Sequence, residues 1–174
     1  MRFHGGMQNS HTLFEAPPSA PLVIFEAPHP VLRQISVAVD FQRDKLHLAE
    51  WVAVLARTLD MHANGVGLAA PQVGLPVRML AIECSGRQKP AMVWINPVIK
   101  RRIGSRASQE GCLSLPGKRY TCPRAKRIEI EAFDVHGVKH LLRCEGLEAV
   151  CFQHEIDHLD GILIEDGVNK PSQA

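Results

Sequence analysis

Two histidines and a glutamate in the run His154-Glu155-Ile156-Asp157-His158 have the residue types and spacing for hydrolytic chemistry. A spacing of four sets both imidazoles on one face of a helix, close enough to share a divalent cation, with Glu155 beside them to take a proton from an activated water. Burying two histidines and several carboxylates on an apolar helix is costly unless they are paired or ligating, and a cation would satisfy them. An open catalytic site takes a third protein ligand and leaves a fourth position for water. Little chain follows His158, and its acids are Glu165 and Asp166, so a ligand from downstream would be strained. Cys112 is the better candidate, within Glu110-Gly111-Cys112-Leu113-Ser114-Leu115-Pro116-Gly117. Gly111 and Pro116 flank it where a backbone can bend, and one thiolate with two imidazoles is an established hydrolytic set.

A third segment, Gly65-Val66-Gly67-Leu68-Ala69-Ala70-Pro71-Gln72, has small residues that let backbone approach a ligand and ends in an amide side chain. It lacks the third glycine and the helix of a dinucleotide site, which favours a wall of the active site over a phosphate cradle. Cys84, Cys122, Cys144 and Cys151 read as small buried hydrophobes.

The elements that must position these groups are legible in part. Leu48, Trp51, Val52, Leu55 and Leu59 recur at helical spacing between Asp44 and Ala63, and Asn64-Gly65 closes the run. Val77 to Ile82 and Ala91 to Ile95 read as apolar strands separated by Ser85-Gly86 and Pro90. Arg127 to Val135 alternates, turns at His136-Gly137 and pairs with Val138 to Cys144 as a hairpin. Gly146 then opens a helix to about Asp160 with two apolar stripes, Leu147, Val150, Cys151 with His154 and Ala149, Phe152, Ile156 with Leu159. Strands grouped with two helices, without regular strand-helix alternation, predict an α+β fold: mainly antiparallel sheets packed around a central buried helix that carries the two histidines.

The 174 residues fit one domain, with 45% hydrophobic and 22% charged residues. Residues 22–166 are expected to form it, with a disordered extension over 1–21 and a loose tail over 167–174. No apolar stretch is long enough to span a membrane, and no export signal is recognisable at the N-terminus. The formal charge of +2 and the short basic run Lys100 to Arg102 predict a solvated surface and no specific nucleic-acid binding. Five widely spaced cysteines suit reduced thiols in a cytosol.

Together the three segments resemble the signature motifs of peptide deformylases, GxGLAAxQ, EGCLS and HExxH, in the same order, and the likeness runs from about Phe25 to Asp166. The resemblance implies Cys112, His154 and His158 as metal ligands and Glu155 as general base and then acid. It implies an oxyanion site made by the Gln72 amide and the Leu113 backbone N–H. Val66, Gly67, Glu110, Leu147, Val150 and Cys151 should border the methionine pocket, with Arg119 on the peptide backbone and an Arg124–Asp157 ion pair steadying the metal helix. It further implies one divalent ion, iron(II) natively, with nickel, cobalt or zinc able to replace it. The reaction would remove the formyl group from the N-terminal formyl-methionine of nascent proteins, with the ion's water as nucleophile. The partners would be those nascent peptides, with the ribosome exit as the meeting place, and the location a bacterial cytoplasm ahead of an organelle. Ser108 departs from the family pattern, where an apolar residue is common.

Two other readings stand beside this one. A zinc peptidase would draw its third ligand from Glu165 or Asp166. A structural zinc module would need four protein ligands, such as Cys112, His154, His158 and one of Cys122, Cys144 or Cys151.

Overall fold

The structure, a computed structural model, describes residues 22–86 and 88–168. The expected extension over 1–21 and most of the expected tail lie outside the described residues, while residues 167 and 168 close a 3-10 turn, Ile164–Val168.

The first helix, α1, spans Lys45–Asp60 and buries Leu48, Val54, Leu55 and Leu59. It ends before the expected Asn64-Gly65 because His62 N–H and Gly65 N–H already form turn bonds to Leu59 and His62 carbonyls. Five strands form one antiparallel sheet in the order β1-β2-β3-β6-β7: β1 Gly67–Ala69, β2 Met79–Ile82, β3 Met92–Ile103, β6 Arg127–Phe133 and β7 Lys139–Glu145. Among the described residues, the strands between them, β4 Arg106–Cys112 and β5 Leu115–Arg124, pair only with each other.

Alternation assigns the two faces of the large sheet. On β2, Leu80 and Ile82 point into one core with Trp94, Ile128, Ile130, Phe152 and Ile156. Met79 and Ala81 point into the other with Leu55, Leu59, Leu68 and Ile95. β2 is therefore buried on both faces, which is why it reads as a continuous apolar run. The helix α2, Gly146–Leu159, packs on the first face against β1, β2 and β7, and α1 packs on the second. A third cluster, with Leu32, Leu115, Cys122 and Leu163, lies under the β4–β5 hairpin.

β3 runs eight residues past the expected end at Ile95. A proline cannot donate to a strand ladder, and a register shift between Ile95 and Val98 takes Pro97 out of it, with Asn96 at φ 50°. Asn96 is held there by its side chain, which accepts from Val39 N–H at 2.8 Å and donates to Val39 C=O at 2.9 Å. The basic run Lys100 to Arg102 lies in the exposed end of this strand.

Candidate metal centre

The β4–β5 hairpin carries Cys112 to α2. Up to Gly111 the ladder is regular, pairing Gly111 with Arg119; then Cys112 pairs with Leu115, so Pro116, Gly117 and Lys118 bulge out of β5. Gly117 takes φ 73°, a conformation that favours glycine. The bend expected around Cys112 is thus a bulge on the opposing strand. It brings Cys112 Sγ to 3.2 Å from His158 Nε2.

On α2 the two histidines meet edge to face one turn apart, with ring centroids 5.0 Å from each other. Ligand atoms of Cys112, His154 and His158 all lie within 4.8 Å of one another, and among the described residues they are the only such group of three or more. His154 and His158 are 8% and 1% exposed, while Cys112 is half-buried.

Electrostatics favour a cation at this point. Burial alone would lower the basicity of His154, but hydrogen bonds to Cys112 and Glu110 and the charge of Glu155 raise its pKa to about 10. Burial holds the His158 pKa well below its usual value, helped by its neighbour His154, so it stays neutral and could offer a lone pair to a cation. Burial raises Glu155 to about 7, against the pull of His154. Glu155 Oε2 and His158 Nδ1 are buried without a hydrogen-bond partner among the described residues. Thiol, two imidazoles and an unsatisfied carboxylate converging in one spot fit a divalent ion.

Glu110 stands behind the histidines. Its carboxylate accepts from His154 Nδ1 at 2.9 Å and from Arg124 Nε and Nη2 at 2.8 and 2.9 Å. Arg124 Nη1 donates to Asp157 at 2.5 Å, so the expected Arg124–Asp157 pair is present and Glu110 extends it into a chain. Burial pushes Glu110 up, yet Arg124 and His154 bring it down to about 2. Its link to His154 was not legible in the sequence, because a carboxylate two residues before the cysteine carries no signal of which way it faces.

Gln72 lies in a 3-10 turn, Ala70–Val73, directly after β1. Its Oε1 accepts from Ala69 N–H at 2.8 Å, which turns Nε2 toward Ser114 Oγ at 3.1 Å and Cys112 Sγ at 3.7 Å. Gly67 faces α2 so closely that a Cβ would come within 2.6 Å of Cys151 Sγ and collide with the Glu155 carboxylate. A side chain there would have to displace Glu155 and Cys151.

A cleft of about 1050 Å³ opens over this group. Its wall includes Val66, Gly67, Gln72, Glu110, Cys112, Leu113, Arg119, Leu147, Val150, Cys151, His154 and Glu155. His158 lies behind it. Val150 and Cys151 are buried, whereas Leu147 and Arg119 are exposed at the rim. Glu165 and Asp166, the acids of the peptidase reading, are instead paired with Arg33 at 3.1 and 2.5 Å. Cys122 lies in the third cluster, its thiol 3.9 Å from the Ile164 carbonyl, and neither it, Cys144 nor Cys151 joins the ligand group.

Fold and site thus define a hydrolase-like scaffold with a cysteine and two histidines gathered beneath a peptide-sized cleft. Residues 21–174 match the family model described as polypeptide deformylase. The chain is 44% identical over 152 residues to the peptide deformylase of Xylella fastidiosa, covering 83% of this chain and 85% of the relative. It is 39% identical over 153 residues to that of Brucella suis, covering 86% and 85%. Among solved structures, the peptide deformylase of Legionella pneumophila aligns with a TM-score of 0.79 at 37% identity over 85% of this chain and 86% of the other. That of Thermus thermophilus aligns at 0.77 and 40% identity over 84% and 85%. The chain belongs to the polypeptide deformylase family.

Proposed function

We propose that this protein removes the formyl group from the N-terminal formyl-methionine of newly made proteins, in a single domain over residues 22–166. The observation that carries the reading is the meeting of Cys112, His154 and His158 under a cleft that also holds Glu155 and Gln72. The buried helix bearing the HExxH run serves as the rigid support of the site. One thiolate with two imidazoles suits iron(II), which we take as the native ion, and also nickel, cobalt or zinc. Such an ion supplies Lewis acidity, which lets water act as a nucleophile at neutral pH.

The chain's own groups do the rest. Glu155, buried and with one oxygen unpartnered among the described residues, takes the proton of the attacking water and passes it to the departing amine nitrogen. The Gln72 amide, aimed by Ala69, donates to the formyl oxygen as it gains charge, together with the Leu113 N–H. Val66, Gly67, Glu110, Leu147, Val150 and Cys151 border the methionine side chain, and Arg119 at the rim holds the peptide backbone.

Among the described residues no helix is long and apolar enough to cross a membrane. We place the protein in the bacterial cytoplasm, meeting nascent chains at the ribosome exit. The test compares formyl-methionyl and acetyl-methionyl peptides on metal-loaded protein: much faster formyl removal is expected, and comparable rates would overturn the reading.

A further inference from the structure

Strand β4 and helix α2 face each other in a simple register. Cys112 meets His158 at 3.2 Å, and Glu110 meets His154 at 2.9 Å. Two residues along a strand advance about 6.8 Å and four along a helix about 6 Å, so the next pair in the series is Ser108 with Val150. Both line the cleft, and both are buried, Ser108 being 7% exposed. Ser108 shares the inner face of β4 with Glu110, since the strand alternates with residues 107 and 109 exposed. Its hydroxyl has no hydrogen-bond partner among the described residues, yet it is not sealed in protein. It therefore opens on the cleft, one step away from the ligand group.

We propose that Ser108 is a specificity-determining residue: its hydroxyl donates to an acceptor atom in the substrate's first side chain. The inference rests on the reading of a formyl-methionyl substrate. With the formyl carbon beside Glu155 and the ligand group, the first side chain extends along the cleft toward Ser108 and Val150. A free cleft lets water satisfy the hydroxyl. A hydrocarbon side chain displaces that water and leaves a buried donor unpaired, whereas a thioether sulfur, or better a sulfoxide oxygen, replaces it. A pocket built around a hydrogen bond discriminates against the analogue that lacks the acceptor. The chemical class selected is thus a first residue with sulfur or oxygen near its tip, including oxidised methionine, over its hydrocarbon isostere.

The experiment measures kcat/KM on three formylated peptides that differ only in their first residue: methionine, methionine sulfoxide and norleucine. The protein, Ser108→Ala and Ser108→Thr are compared, all metal-loaded. The expected result is that Ser108→Ala lowers the ratios of methionine and of methionine sulfoxide to norleucine, the sulfoxide ratio by about fivefold to tenfold, while Ser108→Thr, which keeps the hydroxyl, preserves them. Unchanged ratios in an active Ser108→Ala protein would overturn the proposal alone, as would an equal loss on all three peptides. Failure of the unaltered protein to deformylate any of them would overturn the underlying function, and this proposal with it.

Discussion

Glu110 Oε2 lies 2.9 Å from His154 Nδ1, and this carboxylate is gripped by two further hydrogen bonds from Arg124. With Nδ1–H donating to Glu110, it is Nε2 whose proton a cation would displace, which directs the ligating lone pair of His154 to that nitrogen. A carboxylate behind an imidazole also makes it a stronger ligand.

Removing that support should therefore weaken metal binding before it abolishes chemistry. Glu110→Gln is expected to lower metal affinity about 10-fold to 100-fold. Competition with a chromophoric chelator measures it, and unaltered affinity would show that Glu110 only lines the cleft.

Glu155→Ala should separate binding from reaction. The variant keeps its three ligand side chains, so metal content is expected to match the unaltered protein while turnover falls about 100-fold to 10,000-fold. His158→Ala, by contrast, should lose metal and activity together. Elemental analysis and deformylation on the same preparations check both; a fully loaded Glu155→Ala protein with normal turnover would refute the proton-transfer role.

Gln72→Ala removes a donor whose carbonyl is pinned to Ala69 and whose amide faces Cys112. Loss of one oxyanion donor costs about 3–4 kcal/mol, so turnover should fall roughly 100-fold to 1000-fold with metal content intact. A change confined to KM would instead assign Gln72 to ground-state binding.

The thiols should differ in reactivity. Burial, reinforced by Glu148, pushes the Cys144 pKa up to about 12, so below that pH it stays a protonated, unreactive thiol. Burial likewise raises Cys122. Cys84 is half-buried and lowered by a hydrogen bond with Cys151, so it holds more thiolate at neutral pH. Alkylation of native protein at pH 8, read by peptide mass, is expected to label Cys84 well before Cys144 or Cys122; the reverse order would contradict the packing described.

The sequence exposes what periodicity and spacing encode. α2, α1 and the β6–β7 hairpin follow from patterns of 3.6 and 2, and the ligand group from two histidines four apart plus a cysteine between bend-forming residues. The β4–β5 hairpin escapes because its alternating inner residues, Ser108, Glu110 and Cys112, are polar or small: they face a cleft and an ion site, and so carry no apolar rhythm. Its partner β5 is interrupted by Pro116-Gly117, which reads as a loop and is a bulge. The far half of β3 escapes for a related reason, since Pro97 hides in a register shift and the exposed Lys100 to Arg102 lack alternation. Both misses are places where tertiary context overrides local preference.

Among the described residues no backbone ladder joins the β4–β5 hairpin to the five-stranded sheet. Side chains fasten it to α2: Gln153 clasps both the N–H and C=O of Ala125 at 2.9 and 3.1 Å, and Arg124 and Glu110 reach Asp157 and His154. Cys112 would add one more tie, through an ion shared with the two histidines. The hairpin is therefore expected to open as a unit, with a protection that depends on occupancy of the site. On chelation, amide hydrogens of residues 106–124 should exchange faster while those of β2 and β6 hold, so that the ion acts as a latch on motion as well as a reagent.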